Sequence, residues 1–185
     1  MSNLPARYAK LSLHIGLPLN TLVWQHQSKT LNHNRKTIMI IDYVQARNQM
    51  VREQLVSRGI KDPRVLRAMA TVPRHLFLES DLWDQAYEDH PLPIGEHQTI
   101  SQPYMVALMA EALELKETER ILELGTGSGY ATAVLSELCG EVFSIELVEQ
   151  LALKARRLLS SLGSRNVSVL VGDGTLGWEE HSPYD

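Results

Sequence analysis

Three acidic residues close three apolar runs in the second half of the chain. Glu123 stands two residues ahead of the loop Gly125-Thr126-Gly127-Ser128-Gly129, Glu146 ends the run Glu141–Glu146, and Asp173, followed by Gly174, ends Asn166–Asp173. Alternating glycines let a turn reach positive φ and bring backbone amides against a ligand with no Cβ in the way. Glu146 falls about 20 residues beyond the first glycine, where a dinucleotide-type fold places the carboxylate that accepts from a ribose. These residues together read as the wall of a pocket for a nucleoside-bearing cofactor.

Such a pocket needs its parts carried to one edge. Arg120–Leu124, Glu141–Glu146 and the run from Asn166 are strands of a parallel sheet. Parallel neighbours require crossover connections, and Gly129 to Cys139 and Val148 to Leu162 are the helices that supply them, with Gly163 as a C-terminal stop. The fold class is therefore α/β and Rossmann-like.

The spacing also bears on which ligand fits. Gly-x-Gly-x-Gly followed by Tyr130 departs from Gly-x-Gly-x-x-Gly, which needs a small residue at that position for close helix packing. A nicotinamide dinucleotide is disfavoured. Glu123 suits a ligand bearing an ammonium and a sulfonium, as S-adenosylmethionine does, whereas a pyrophosphate would want no acid there. A lone glycine loop is an ordinary strand-to-helix turn; the two later acids distinguish this one.

Upstream, the spacing predicts a helix from Asp42 to Arg58 stopped by Gly59, and a second from the Asp62-Pro63 cap to about Ala70, ahead of Pro73. Leu76 to Trp83 is short and apolar, with Asp81 as a cap. These pieces form a helical N-terminal subdomain. His90–Gly95 carries two prolines and a glycine and is expected to be an extended loop without regular structure. Ser101-Gln-Pro-Tyr opens a helix with Met105, Leu108, Met109, Ala112 and Leu113 on one face, the methionines expected in the core. By residue type alone Ser101 reads first as a cap, and the free N–H groups at that helix start as a place to hold an anion.

The chain has 185 residues, 44% apolar and 22% charged, enough for one domain with a real core. A net charge of −4 argues against a nucleic-acid partner, and no run approaches a membrane span. The histidines show no metal-ligand spacing, so no metal is expected. Cys139, the lone cysteine, reads as a small buried hydrophobe and is compatible with the cytoplasm. Met1 to Ile38 holds five basic residues and no acid, leaving 13 basic against 22 acidic residues, or −9, in the remainder. This leader fits a signal peptide poorly. Its basic, acid-free composition is that of an organelle transit peptide, but the simpler expectation is that translation starts at Met39 and the leader is a gene-model extension or a disordered tail.

Leu92-Pro-Ile-Gly-Glu-His-Gln-Thr-Ile-Ser-Gln-Pro-Tyr-Met105, then Glu123 to Tyr130, then Gly172-Asp-Gly174 and Pro183-Tyr-Asp185, resembles the bacterial type of protein-L-isoaspartate O-methyltransferase over roughly Met39 to Asp185. The Thr99 to Met105 segment is the most specific part. The resemblance implies S-adenosylmethionine-dependent methylation of the free carboxylate of L-isoaspartyl residues in damaged proteins, by an enzyme that is a cytoplasmic monomer when complete. The alternatives are a non-catalytic cofactor-binding fragment or another Rossmann-like methyltransferase. The family's active-site serine falls on Ser101, with Thr99 and Ile100 positioning substrate. The resemblance assigns Glu146 to the ribose hydroxyls, Asp173 to the adenine amino group, Gly174 to the cofactor without a stated portion, Gly125, Thr126, Gly127 and Gly129 to the methionine portion, and Glu123 to ordering that loop or the cofactor ammonium. Tyr104 stands where some relatives carry a histidine. The acceptor carboxylate is ionised at neutral pH, with a pKa near ~4, so alignment and desolvation carry the reaction without a general base.

Three regions follow: the leader 1–38, a helical subdomain with a substrate loop over 39–100, and the first half of a methyltransferase domain over 101–185. Pro183-Tyr-Asp185 stands where the family enters its fourth core strand. The domain is therefore expected to be C-terminally incomplete, with an apolar strand edge left open.

Overall fold

A computed structural model describes residues 41–185; the leader 1–38 and the proposed start at Met39 lie outside the described residues. Helix α1 spans Tyr43–Met50 and is capped by Asp42, whose Oδ1 accepts from Val44 N and Gln45 N at 3.0 Å each. It continues through a wide π turn, Val51–Leu55, and a tight turn, Val56–Arg58, and stops at Gly59 in the left-handed region. Helix α2, Pro63–Thr71, follows the Asp62 cap and buries Val65, Ala68 and Met69 along one side. Asp81 does not cap a helix. It lies inside the short turn Ser80–Leu82, which follows Glu79.

The expected irregular loop after His90 is a hairpin. Strand β1, Leu92–Gly95, pairs antiparallel with β2, Gln98–Ile100, matching Leu92 to Ile100 and Pro93 to Thr99. Glu96 and His97 turn the chain with both φ positive, at 50° and 56°. That is the backbone of a two-residue hairpin without its usual Asn-Gly signature. Proline is tolerated because this two-stranded sheet consists only of edges.

Helix α3, Pro103–Ala112, buries Pro103, Val106, Ala107 and Ala110. The face expected inside points outward: Met105 is 40% exposed, Met109 48% and Leu113 54%. Almost every position in this helix is apolar, so period alone does not select a face. The small residues win because they allow close packing on α2 and the π turn.

Strands β3 (Arg120–Leu124), β4 (Glu141–Glu146) and β5 (Val167–Val171) form a parallel sheet in the order β3-β4-β5, crossed over by α4 (Tyr130–Ser136) and α5 (Glu149–Ser161). Strand β4 is central and buried nearly throughout, and its Val142, Phe143 and Ile145 anchor the core. Among the described residues, the outer edge of β3 is met by Asp185. Its backbone N donates to Arg120 O, and its Oδ2 accepts from Arg120 N, both at 2.9 Å.

Candidate cofactor and acceptor site

All three acid-ended strands run the same way, so Glu123, Glu146, Asp173 and the glycine loop share one edge of the sheet. Glu146 is 6% exposed. Its Oε2 accepts from Gly127 N at 2.8 Å and its Oε1 from Val148 N at 2.9 Å, tying the glycine loop to the start of α5. Each carboxylate oxygen retains a further lone pair, so these bonds leave acceptor capacity for vicinal hydroxyls.

Glu123 supports the loop from behind. Its Oε2 accepts from Thr132 Oγ1 at 2.5 Å and from Ser144 Oγ at 2.6 Å. Thr126 Oγ1 lies 2.6 Å from Ser144 Oγ. Because Ser144 spends its one proton on Glu123, Thr126 is the donor to Ser144, and the chain of hydroxyls runs from the loop to the carboxylate. Burial pushes the Glu123 carboxyl up to about 7, with the Glu146 charge adding and the two hydroxyl donors pulling back. Ser144 escaped the sequence reading. A polar residue inside the run Val142–Ile145 was the available signal.

The three loop glycines have φ of 91°, 54° and 87°. Gly129 is further constrained by packing, since a Cβ there would lie 3.1 Å from Ala155 Cβ and 3.3 Å from Leu159 Cδ1. A Cβ on Gly174 would meet Leu124 Cδ2 at 3.0 Å, which draws the turn after β5 against the end of β3. Asp173 is exposed, and its Oδ1 accepts from Thr175 N and Oγ1, which hold its carboxyl below the usual range. Cys139 is buried, and burial pushes its thiol up to about 11, consistent with an inert core residue.

The second part of the site is the hairpin leading into α3. Ile94 reaches the glycine loop, 3.6 Å from where a Cβ on Gly127 would stand. Thr99 and Ser101 are exposed, whereas Ile100 turns into the core at 4% exposure. Ile100 thus fixes the strand that presents its two hydroxyl neighbours. Ser101 does not cap α3: the cap position belongs to Gln102, and no side chain caps there. Nor is the start of α3 an open anion site, because Asp89 Oδ1 accepts from Tyr104 N at 3.2 Å. Arg58 pairs with Asp89 and lies 3.4 Å over the Tyr104 ring. Neither Asp89 nor Arg58 belongs to a motif that spacing could have exposed. Beside the hairpin, a cleft of about 400 Å³ opens onto α5, with Ile94, Glu96, Gln150, Lys154 and Arg157 among its lining residues; Ser101 and the three acids lie outside it.

Residues 45–185 match the family Protein-L-isoaspartate(D-aspartate) O-methyltransferase (PCMT). The chain is 56% identical over 147 residues to protein-L-isoaspartate O-methyltransferase of Syntrophus aciditrophicus (strain SB), covering 80% of this chain and 67% of that relative. It is 60% identical over 139 residues to protein-L-isoaspartate O-methyltransferase 2 of Pelobacter propionicus, covering 75% and 62%. A solved protein-L-isoaspartate O-methyltransferase superposes with a TM-score of 0.67 at 34% identity, covering 77% of this chain and 46% of that one. The enzyme of the same name from Plasmodium falciparum, solved in complex with S-adenosyl-L-homocysteine, gives 0.61 at 26% identity, covering 72% and 66%. The chain thus spans about two thirds of the length of these curated relatives. Its parallel sheet and crossover helices are those of the Rossmann-like S-adenosylmethionine-dependent methyltransferase fold.

Proposed function

This chain belongs to the protein-L-isoaspartate O-methyltransferase family, and from that premise we propose that its site transfers the methyl group of S-adenosylmethionine to the free carboxylate of L-isoaspartyl residues in damaged proteins. The observation that carries the reading is the Glu146 carboxylate, buried at the end of β4 and bonded to Gly127 N, which makes the acid and the glycine loop one site.

The cofactor supplies an electrophilic methyl group on a sulfonium, a neighbour that the acids Glu123 and Glu146 favour. Glu146 accepts from the ribose hydroxyls with the lone pairs left over from Gly127 N and Val148 N. Asp173 and Gly174 border the adenine, and Gly125, Thr126, Gly127 and Gly129 border the methionine portion. Glu123 holds the loop in place through Ser144 and Thr126. Ser101, exposed and free of any cap duty, orients the acceptor carboxylate, and Thr99 stands beside it on the hairpin that Ile100 anchors. No residue need remove a proton, because the acceptor is already ionised at neutral pH. Orientation and exclusion of water are what these side chains provide. Isoaspartyl proteins are the partners, and the single buried cysteine suits a cytoplasmic location.

Radiolabelled S-adenosylmethionine offered with an isoaspartyl peptide and its aspartyl twin tests the reading. A base-labile methyl ester is expected on the first peptide only. Equal labelling of both would overturn the substrate. Cofactor binding with no transfer in a single turnover would restrict this chain to a binding role.

A further inference from the structure

Glu123 and Glu146 share one edge of the sheet without a counter-charge. Among the described residues, Asp62, Glu79, Asp89, Glu119 and Glu141 each pair with an arginine or a lysine, whereas no basic side chain pairs with Glu123 or Glu146. Glu146 is buried, with a neutral backbone N–H on each of its oxygens. Glu123 is half-buried and lies directly across the β3–β4 pairing from Ser144. Thr132 and Ser144 both donate to one oxygen, Oε2, and no described residue donates to Oε1. The elements around Glu123 bring it no positive charge. Helix α4 presents Thr132 and the glycine loop presents Thr126, neither of which titrates, while β4 presents Ser144 and the acid Glu146, whose charge acts on Glu123. Asp173, after β5, is exposed and held by Thr175.

Two carboxyl groups drawn out of water at one edge with no cation between them do not both keep a charge cheaply; a proton or a positive ligand must compensate one of them. With donors on both oxygens of Glu146 and on Oε2 of Glu123, the open position for a proton is Oε1 of Glu123. We propose that Glu123 senses charge in the cofactor pocket, holding a proton until a cationic adenosyl cofactor binds and then releasing it to solvent. One O–H bond breaks, the carboxylate stays behind as the counter-charge, and nothing is oxidised or reduced. This role rests on the cofactor pocket proposed above. There it sets a preference, because the ionised carboxylate favours a ligand that carries a sulfonium or an ammonium over a neutral analogue. The change also reaches the loop. A hydroxyl bond to a carboxylate is stronger than one to a neutral carboxyl, so ionisation tightens the chain from Glu123 through Ser144 to Thr126.

The test is titration calorimetry of the unaltered chain at pH 7 in buffers of different ionisation enthalpy, where the dependence of heat on buffer counts the protons released. Three ligands are compared: S-adenosylmethionine, S-adenosylhomocysteine, which lacks the sulfonium, and 5′-methylthioadenosine, which lacks both cationic groups. About half a proton should leave with S-adenosylmethionine, because a carboxyl that titrates at about 7 is half protonated at pH 7, and none with 5′-methylthioadenosine. A release with S-adenosylhomocysteine equal to that with S-adenosylmethionine assigns the effect to the ammonium, and no release assigns it to the sulfonium. Affinity for S-adenosylmethionine should rise with pH towards 7, by no more than about ten-fold per pH unit, and be level above that. Glu123→Gln keeps an acceptor oxygen for Thr132 and Ser144, so it should lower the count by that half proton and flatten the rise. Ser144→Ala removes a donor that favours the charged form and should move the rise to higher pH. Heats independent of the buffer, or an unchanged count in the Glu123→Gln chain, would overturn the sensing role and leave the proposed reaction standing. Binding of none of the three ligands would overturn both.

Discussion

At the carboxyl edge of β3 and β4, the polar partners lie near one another along the chain. Thr132 and Glu123 are 9 positions apart, Gly127 and Glu146 are 19, and Ser144 and Glu123 are 21. Every one of these bonds lies within one strand-helix-strand unit. The N-terminal helices, the Glu79–Asp89 segment and α3 are held quite differently. Arg58 reaches Asp89 across 31 positions, Glu111 accepts from Lys61 N and Asp62 N across 50 and 49, and Lys154 reaches Glu79 across 75. The first region assembles from local topology, so a motif can announce it. The second exists only when separate elements dock, and its polar groups report the docking.

The largest effect that should separate the two regions comes from Gly129→Ala. Positive φ costs about 1–2 kcal/mol and overpacking against Ala155 and Leu159 about 1–3 more, so urea unfolding should show a loss of roughly 2–5 kcal/mol. Gly125→Ala, with nothing within 4 Å of the new Cβ, should lose only the backbone part. Equal losses would show that packing against α5 does not matter at Gly129.

Glu123 comes next. Its folded pKa, about 7, lies above the ordinary value of 4.5, so the folded state binds the extra proton. Its contribution to stability is greatest below about pH 4.5, falls as pH rises towards 7, and is level above that. The whole fall is a few kcal/mol, because each ten-fold difference in proton affinity between the folded and unfolded chain is worth about 1.4 kcal/mol. Glu123→Gln should flatten that part of the stability-pH profile. An unchanged slope would move the titration to another group.

Glu146→Gln should weaken cofactor binding by about ten-fold or more, the worth of roughly 1.5–3 kcal/mol for a charge-assisted bond. An analogue lacking the ribose hydroxyls should be nearly indifferent to the substitution. If calorimetry showed the analogue weakened equally, the acid would serve only to tie Gly127 to Val148.

Ser101→Ala should have the smallest structural effect. The residue is exposed and caps nothing, so stability should stay within about 0.5 kcal/mol of the original and cofactor affinity should hold while turnover falls. A large loss of affinity would instead place Ser101 at the cofactor.

Periodicity and acid-ended runs were enough to read β3, β4, β5 and their crossover helices, because a parallel strand-helix-strand unit writes its core and its loop into consecutive residues. The cap at Asp62 was legible for the same reason, since its side chain bonds to backbone two residues away; Asp42, read only as the first residue of its helix, proves to cap it. Tertiary structure decided the rest. The hairpin Leu92–Ile100 defied its prolines, since a two-stranded sheet has room on its edges for residues that cannot donate. The outward face of α3 followed from docking, because a helix apolar all round turns its small residues to whichever neighbour can approach. Ser101 lost its cap role to geometry when Gln102 took that position and Asp89 took the amide beyond it. The buried guanidinium of Arg74 lies furthest from any local rule. Its burial depends on α4 supplying the Tyr130 ring and on the Ala86 carbonyl from its own segment, and only the packed fold brings them together.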